Sequence, residues 1–209
     1  MKTRIVTLLI LVMVFLSLVG FSNRKTNLYE NMVNASVLIY DDYGFGSGVF
    51  IEDNVIATAA HVLTQSNLVV ELTDGTILEV DDFYIDEKED VGFIFVGVDE
   101  LHIAKVLAVP GDIGDTVYLV GSPYDRRLKF TITKGILSHL DRDIWDYEDL
   151  LQTDAEGGPG SSGGPLYDSE GNIIGICVTG PVPGGGVSLC ESGKSILEAY
   201  ERCMDARRE

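Results

Sequence analysis

Thr153-Asp154-Ala155-Glu156-Gly157-Gly158-Pro159-Gly160-Ser161-Ser162-Gly163-Gly164-Pro165-Leu166 carries five glycines and two prolines in fourteen residues. Neither a helix nor a central strand tolerates that composition, so the stretch is a tight loop with unusual backbone angles. Glycines on both sides of a serine let backbone N–H groups turn towards the point at which the hydroxyl is aimed. Donors converging beside a hydroxyl stabilise the oxyanion of a tetrahedral acyl-transfer intermediate. The stretch nominates Ser162 as a nucleophile, with the N–H groups of Gly160 and Ser162 as oxyanion donors. A plain Gly/Ser connecting loop is the alternative.

Outward from this loop the chain reads as short strands. Before it come Val106–Val109, Thr116–Gly121, Leu128–Leu137 and Leu150–Thr153; within and after it come Gly164–Tyr167, Ile173–Val178 and Gly186–Leu189. The first half repeats the rhythm at Ala35–Tyr40, Ser47–Ile51, Val55–Thr58, Leu68–Leu72, Ile77–Ile85 and Val91–Val96. Turn residues such as Glu52-Asp53-Asn54 and Thr73-Asp74-Gly75 separate them, and no long helix intervenes. Such spacing predicts closed or sandwiched antiparallel sheets, an all-β fold. The break at Asp99–Ala104 divides a first set of strands over about 35–98 from a second over about 104–191. Only the end changes period: Ile196, Leu197, Tyr200, Cys203 and Met204 recur at helical spacing and predict a C-terminal helix over about 193–206. Ser195-Ile196-Leu197-Glu198 could cap it as a capping box, with Ser192 the competing N-cap.

The chain has 209 residues, 45% of them apolar, enough for one domain or two small lobes. Lys2 and Arg4 precede an apolar run from Ile5 to Phe21. Two readings stand: residues 1–22 as a cleaved secretory signal, or residues 5–21 as an uncleaved anchor holding the domain at a membrane. Either places the protein outside the cytoplasm, secreted, periplasmic or in the cell envelope. Residues 23–34 read as a polar linker, and 35–209 as the working domain. The net charge of −18 disfavours nucleic acid and anionic membrane surfaces as partners. Cys177, Cys190 and Cys203 have no metal-ligand spacing, and nothing in the sequence calls for a metal or a cofactor. Cys177 and Cys190, on successive strand-like segments, are the pair expected to bridge under oxidising conditions; three buried thiols are the equal alternative.

A serine nucleophile needs a base, and the base an orienting carboxylate. Of three histidines, His61 follows a strand and the small residues Thr58-Ala59-Ala60, which leave its ring approachable. Asp90 closes the acidic run Asp86-Glu87-Lys88-Glu89-Asp90 and opens the apolar strand Val91–Val96. A carboxylate at that edge can be buried, and a buried carboxylate seeks a partner such as an imidazole N–H.

With these residues assembled, Thr58-Ala59-Ala60-His61, Asp90-Val91-Gly92 and Gly160-Ser161-Ser162-Gly163-Gly164-Pro165 resemble the chymotrypsin-like serine proteases, closest to the HtrA/DegP type. Gly44–Ile51, Asp86-x-x-x-Asp90, Val120-Gly121-Ser122-Pro123 and Thr133–Ser138 resemble further signatures of that branch in the correct order. The resemblance implies two packed six-stranded antiparallel barrels and a triad of His61, Asp90 and Ser162. It implies a serine endopeptidase acting on protein or peptide substrates, with Ile176-Cys177-Val178 pairing the substrate backbone. A catalytically silent, chaperone-like binder with the same fold is the alternative. Ser161 and Gly92 depart from the branch's usual residues, and the sequence carries no PDZ-like domain after the helix. Glu156, six residues before Ser162, occupies the place where trypsin-like members set Lys/Arg specificity; an outward-pointing Glu156 is the competing expectation.

Overall fold

The computed structural model describes residues 27–63, 67–97, 102–144, 147–179 and 186–208. The expected signal or anchor, and the start of the expected linker, lie outside the described residues. Among the described residues no helix is long and apolar enough to cross a membrane.

The described part of the linker is a helix, α1 (27–34), rather than a loose arm. Its Met32 is buried, and Leu28, Tyr29 and Val33 pack on the core, which is what holds it. Seven strands follow: β1 (Ser36–Tyr40), β2 (Phe45–Glu52), β3 (Val55–Thr58), β4 (Val69–Glu71), β5 (Ile77–Glu79), β6 (Asp82–Ile85) and β7 (Gly92–Phe95). They form one antiparallel sheet in the order β5-β4-β1-β2-β3-β7-β6. The expected strand Ile77–Ile85 is thus two strands at opposite edges of the sheet. β5 pairs with β4, then the chain turns at Val80-Asp81 and β6 pairs with β7. The Asp81 N–H donates to the Phe95 carbonyl at 2.9 Å, which fixes the corner.

The second lobe is a closed barrel of six strands: β8 (Thr116–Gly121), β9 (Thr131–Ile144), β10 (Tyr147–Thr153), β11 (Pro165–Tyr167), β12 (Ile173–Thr179) and β13 (Ser188–Ser192). The architecture is all-β, a barrel beside a curled sheet, closed by the helix α2 (Gly193–Ala206). Ser192 is the N-cap of α2, its hydroxyl accepting from the Ser195 N–H at 3.1 Å. Val106 makes only one bridge, to Ile173, so the expected strand Val106–Val109 is not built.

Each lobe encloses its own apolar cluster, around Ile39, Phe50 and Ile94 in the first and Leu119, Leu166 and Ile174 in the second. A third joins Phe93 and Val55 of the first lobe to Tyr118 and Ile176 of the second, and to Met32 of α1 and Ile196 of α2. Burial of apolar surface there stabilises the two lobes in one relative position. That matters because the candidate site draws residues from both.

Candidate active site

Strand register explains why His61 and Asp90 meet. Thr58, the last residue of β3, pairs with Gly92, the first of β7. A 3-10 turn over Ala60–Leu63 carries His61 just beyond that point, and Asp90 lies just before it. The two side chains come together, with Nδ1 of His61 2.7 Å from Oδ2 of Asp90. The His61 backbone N–H also donates to Oδ1 at 3.0 Å, so both carboxylate oxygens are held. A donor the sequence does not announce comes from β10: the Tyr147 hydroxyl donates to Asp90 Oδ2 at 3.2 Å. Burial is the largest single influence on Asp90 and raises its pKa. The hydrogen bond and charge of the His61 ring, the His61 N–H and Tyr147 together outweigh it, and Asp90 stays below the ordinary carboxylate value. Asp90 is thus an anion with fixed lone pairs, able to hold the His61 ring with its Nδ1 protonated and directed at the carboxylate.

The turn that presents Asp90 is itself pinned. Asp86 accepts the N–H groups of Lys88 and Glu89 at 3.0 and 2.9 Å and a two-pronged ion pair from Arg202 of α2 at 2.8 and 3.0 Å. The C-terminal helix therefore shapes the loop that carries Asp90. Nothing in the spacing of Asp86 and Arg202 shows that they meet.

The glycine loop distinguishes its two serines. Ser161 is buried, and its Oγ accepts the Gly158 N–H at 3.2 Å. Ser162 is half-buried and lines a cavity of about 340 Å³ with His61, Val62, Pro159 and Gly160. Gly160 has φ +97°, and a Cβ there would stand 2.2 Å from the Phe45 ring and 2.4 Å from the Ser122 carbonyl. Gly163 has φ +81°, with the Ser47 carbonyl 2.1 Å from where a Cβ would be. No other residue fits either place. Neither the Gly160 nor the Ser162 N–H has a hydrogen-bond acceptor among the described residues, which leaves both available to an oxyanion.

Ser47, on β2 of the first lobe, fastens this loop. Its N–H donates to the Ser162 carbonyl at 2.8 Å and its Oγ to the Gly160 carbonyl at 2.8 Å. The Ser122 N–H donates to Ser47 Oγ at 3.1 Å, and Thr58 Oγ1 to the Ser47 carbonyl at 2.7 Å. The signal in the sequence is the Gly46-Ser47-Gly48 run inside an otherwise apolar strand, which admits such a close approach.

The substrate-contact expectations fare unevenly. Glu156 is exposed and its carbonyl accepts Thr133 Oγ1 at 2.9 Å. The loop interior beside it holds the buried Ser188 hydroxyl, which accepts the Gly157 N–H and donates to the Ala155 carbonyl, each at 2.9 Å. Ile176 and Cys177 are internal to the barrel. Cys177 pairs with Cys190 across β12 and β13, while on the other side its N–H donates to the Gly164 carbonyl and its carbonyl accepts from Gly163. Those two residues have no open edge for another strand; only from Val178 onward does β12 extend past its partner β11. The three cysteines are buried thiols. Among the described residues no group of His, Cys, Asp and Glu side chains could hold a metal ion.

The model of the trypsin-like peptidase domain matches residues 46–176. The chain belongs to that family. It is 36% identical over 140 residues to the "Probable periplasmic serine endoprotease DegP-like" of Halomonas elongata, covering 63% of this chain and 28% of that protein. It is 34% identical over 156 residues to the zebrafish (Danio rerio) "Serine protease HTRA1B", covering 70% of this chain and 32% of the other. The chain thus spans less than a third of the length of these curated relatives. Among solved structures, the HtrA-type protease AlgW with a tripeptide superposes with a TM-score of 0.73 at 29% identity, over 83% of this chain and 62% of that one. The serine endoprotease of Yersinia pestis gives 0.74 at 26%, over 83% and 65%.

Proposed function

We propose that the protein is a serine endopeptidase of the HtrA/DegP type that cleaves protein or peptide substrates through Ser162, His61 and Asp90. The observation that carries this is the 2.7 Å His61–Asp90 contact at the edge of the cavity that Ser162 also lines. Ser162 Oγ attacks the scissile carbonyl carbon while His61 Nε2 takes its proton. The carbonyl oxygen becomes an oxyanion facing the N–H groups of Gly160 and Ser162. Collapse expels the amine, which receives the proton from His61 and leaves an acyl ester on Ser162. Water, deprotonated by the same imidazole, then attacks the ester, and Ser162 regains its proton. Asp90 remains ionised throughout.

Substrate backbone would add at Val178 and beyond rather than along Ile176-Cys177. With Glu156 at the surface and the Ser188 hydroxyl inside the loop, the reading gives Glu156 no part in binding a Lys or Arg side chain. A peptide-library profile is expected to lack enrichment for either. The basic, apolar start of the chain and the periplasmic designation of the Halomonas relative support an extracytoplasmic location.

The test is labelling of the full chain with a fluorophosphonate, beside Ser162→Ala and His61→Ala. Each substitution is expected to reduce the rate by about 10⁴-fold or more. Peptide binding by a chain that never labels would instead favour the silent binder.

A further inference from the structure

Asp90 also lines a second cavity, of about 660 Å³, whose walls include neither His61 nor Ser162. Glu191, the penultimate residue of β13, lines it. This residue is only 2% exposed, and its Oε2 has no hydrogen-bond partner among the described residues. The groups facing it come from three elements. The turn before β7 supplies Glu87, Lys88, Glu89 and Asp90; β10 supplies Tyr147, Glu148 and Asp149; α2 supplies Lys194 and Glu198. Both cations have other carboxylate partners on the rim: Lys88 pairs with Glu89 at 3.1 Å, and Lys194 lies 3.8 Å from Glu198. Among the described residues Glu191 is thus a buried carboxyl beside Asp90, on an acidic cavity, with no cation paired to it.

Such a group is costly to keep merely for packing, since an aliphatic side chain would fill the same space without desolvating a carboxyl. Among the described residues no group of His, Cys, Asp and Glu side chains could hold a metal ion; a proton is a cation that would satisfy the carboxyl. Burial first, and then the charges of Glu89 and Asp90, push Glu191 up to about 7, while the Ser195 hydroxyl and the Asp90 N–H oppose the rise.

We propose that Glu191 is a positioning residue acting through Asp90: its carboxyl sets the charge behind the His61–Asp90 pair, neutral when it holds its proton and negative when it does not. The proposal rests on the triad reading above. An ionised Glu191 adds a second anion behind the imidazole and favours the imidazolium that His61 becomes when it accepts the serine proton. Loss of that charge would release the His61 proton at lower pH and weaken support for the imidazolium in the transition state.

The experiment follows the His61 ring resonance by NMR across pH in the full chain. The signal is assigned by its loss in His61→Ala, and Glu191→Gln, Glu191→Leu and Glu191→Asp are compared with the wild type. The expected result is a downward shift of the His61 midpoint by about half a pH unit or more in Glu191→Gln and Glu191→Leu. Glu191→Asp should stay close to the wild type. The acid limb of fluorophosphonate labelling should move in the same direction. Identical midpoints in all four proteins overturn the proposal, whatever the labelling shows. A wild-type midpoint that moves with added calcium or spermidine, and does not in Glu191→Gln, also overturns it, in favour of a bound cation. Shifted midpoints with no labelling of any protein would uphold the Glu191 assignment and sink the protease reading alone.

Discussion

Two buried carboxyl groups flank Asp90, and they behave in opposite ways. Asp86, in the turn before β7, is 4% exposed; Glu191, at the end of β13, is 2% exposed. Burial acts upward on both and is the largest single cause for each. Asp86 nevertheless ends below the ordinary value, because the Arg202 guanidinium and the N–H groups of Glu89 and Lys88 offer it fixed donors. Glu191 meets the charges of Glu89 and Asp90 and no guanidinium, and ends near 7. Similar surface exposure gives an anion in one place and an acid near neutrality in the other. The guanidinium beside Asp86, against the deeper surroundings and neighbouring anions of Glu191, decides which.

The most direct way to break this contrast is to remove the donor from the Asp86 side. Arg202→Ala leaves a carboxylate 4% exposed without its cation. Because Arg202 is itself about one-third exposed, the expected loss is about 2–3 kcal/mol rather than the full value of a buried pair. Denaturant unfolding at neutral pH measures it. Asp86 has a folded pKa below its unfolded value of 3.8, so its contribution is present above that value and is lost as the pH falls below it. The gap between wild type and Arg202→Ala should therefore close in acid.

The Glu191 side should respond with the opposite sign. The unfolded group ionises near 4.5 and the folded one near 7. Between those values the folded state keeps a proton that the unfolded chain has released. Stability is then greatest below 4.5 and falls as pH rises through 7. Glu191→Leu is expected to match or exceed the wild type everywhere, with an advantage growing to about 3 kcal/mol by about pH 8. A constant difference across pH would mean that Glu191 does not titrate differently in the folded protein.

The smallest effect should come from the hydroxyl that β10 offers to Asp90. Tyr147→Phe removes one hydrogen bond to Asp90 while His61 keeps both of its own. A loss of about 1 kcal/mol, or about fivefold in kcat/KM, with little change in thermal stability, is the expected outcome. A loss of several hundredfold would show that Tyr147, rather than His61, holds Asp90 in place.

Much of the candidate site is legible without coordinates. Thr58–His61 and the Gly160–Pro165 run are dictated locally: small residues beside a histidine, and positive φ on two glycines around a serine, are properties of the chain itself. Strand positions read well where apolar runs are bounded by turns, as at Val55–Thr58 and Thr116–Gly121. The reading fails where pairing partners decide. Ile77–Ile85 is continuous in sequence, yet it divides because β4 and β7 lie on opposite flanks of the sheet. Ile176 and Cys177 look like an available strand until β11 and β13 occupy both of their edges.

What the sequence determined by itself is therefore the all-β character, the helix at the end, the order of His61, Asp90 and Ser162, and the shape of the serine loop. All of these follow from side-chain periodicity and from the backbone angles particular residues allow. What only the tertiary structure decided is the company these groups keep. Tyr147 reaches Asp90 across 57 positions, Arg202 reaches Asp86 across 116, and Ser47 reaches Gly160 across 113. Hydrogen bonds and charge interactions depend on distances of a few ångströms in space and are indifferent to separation along the chain. No local pattern can announce them, and they set the protonation and placement on which the chemistry at Ser162 would depend.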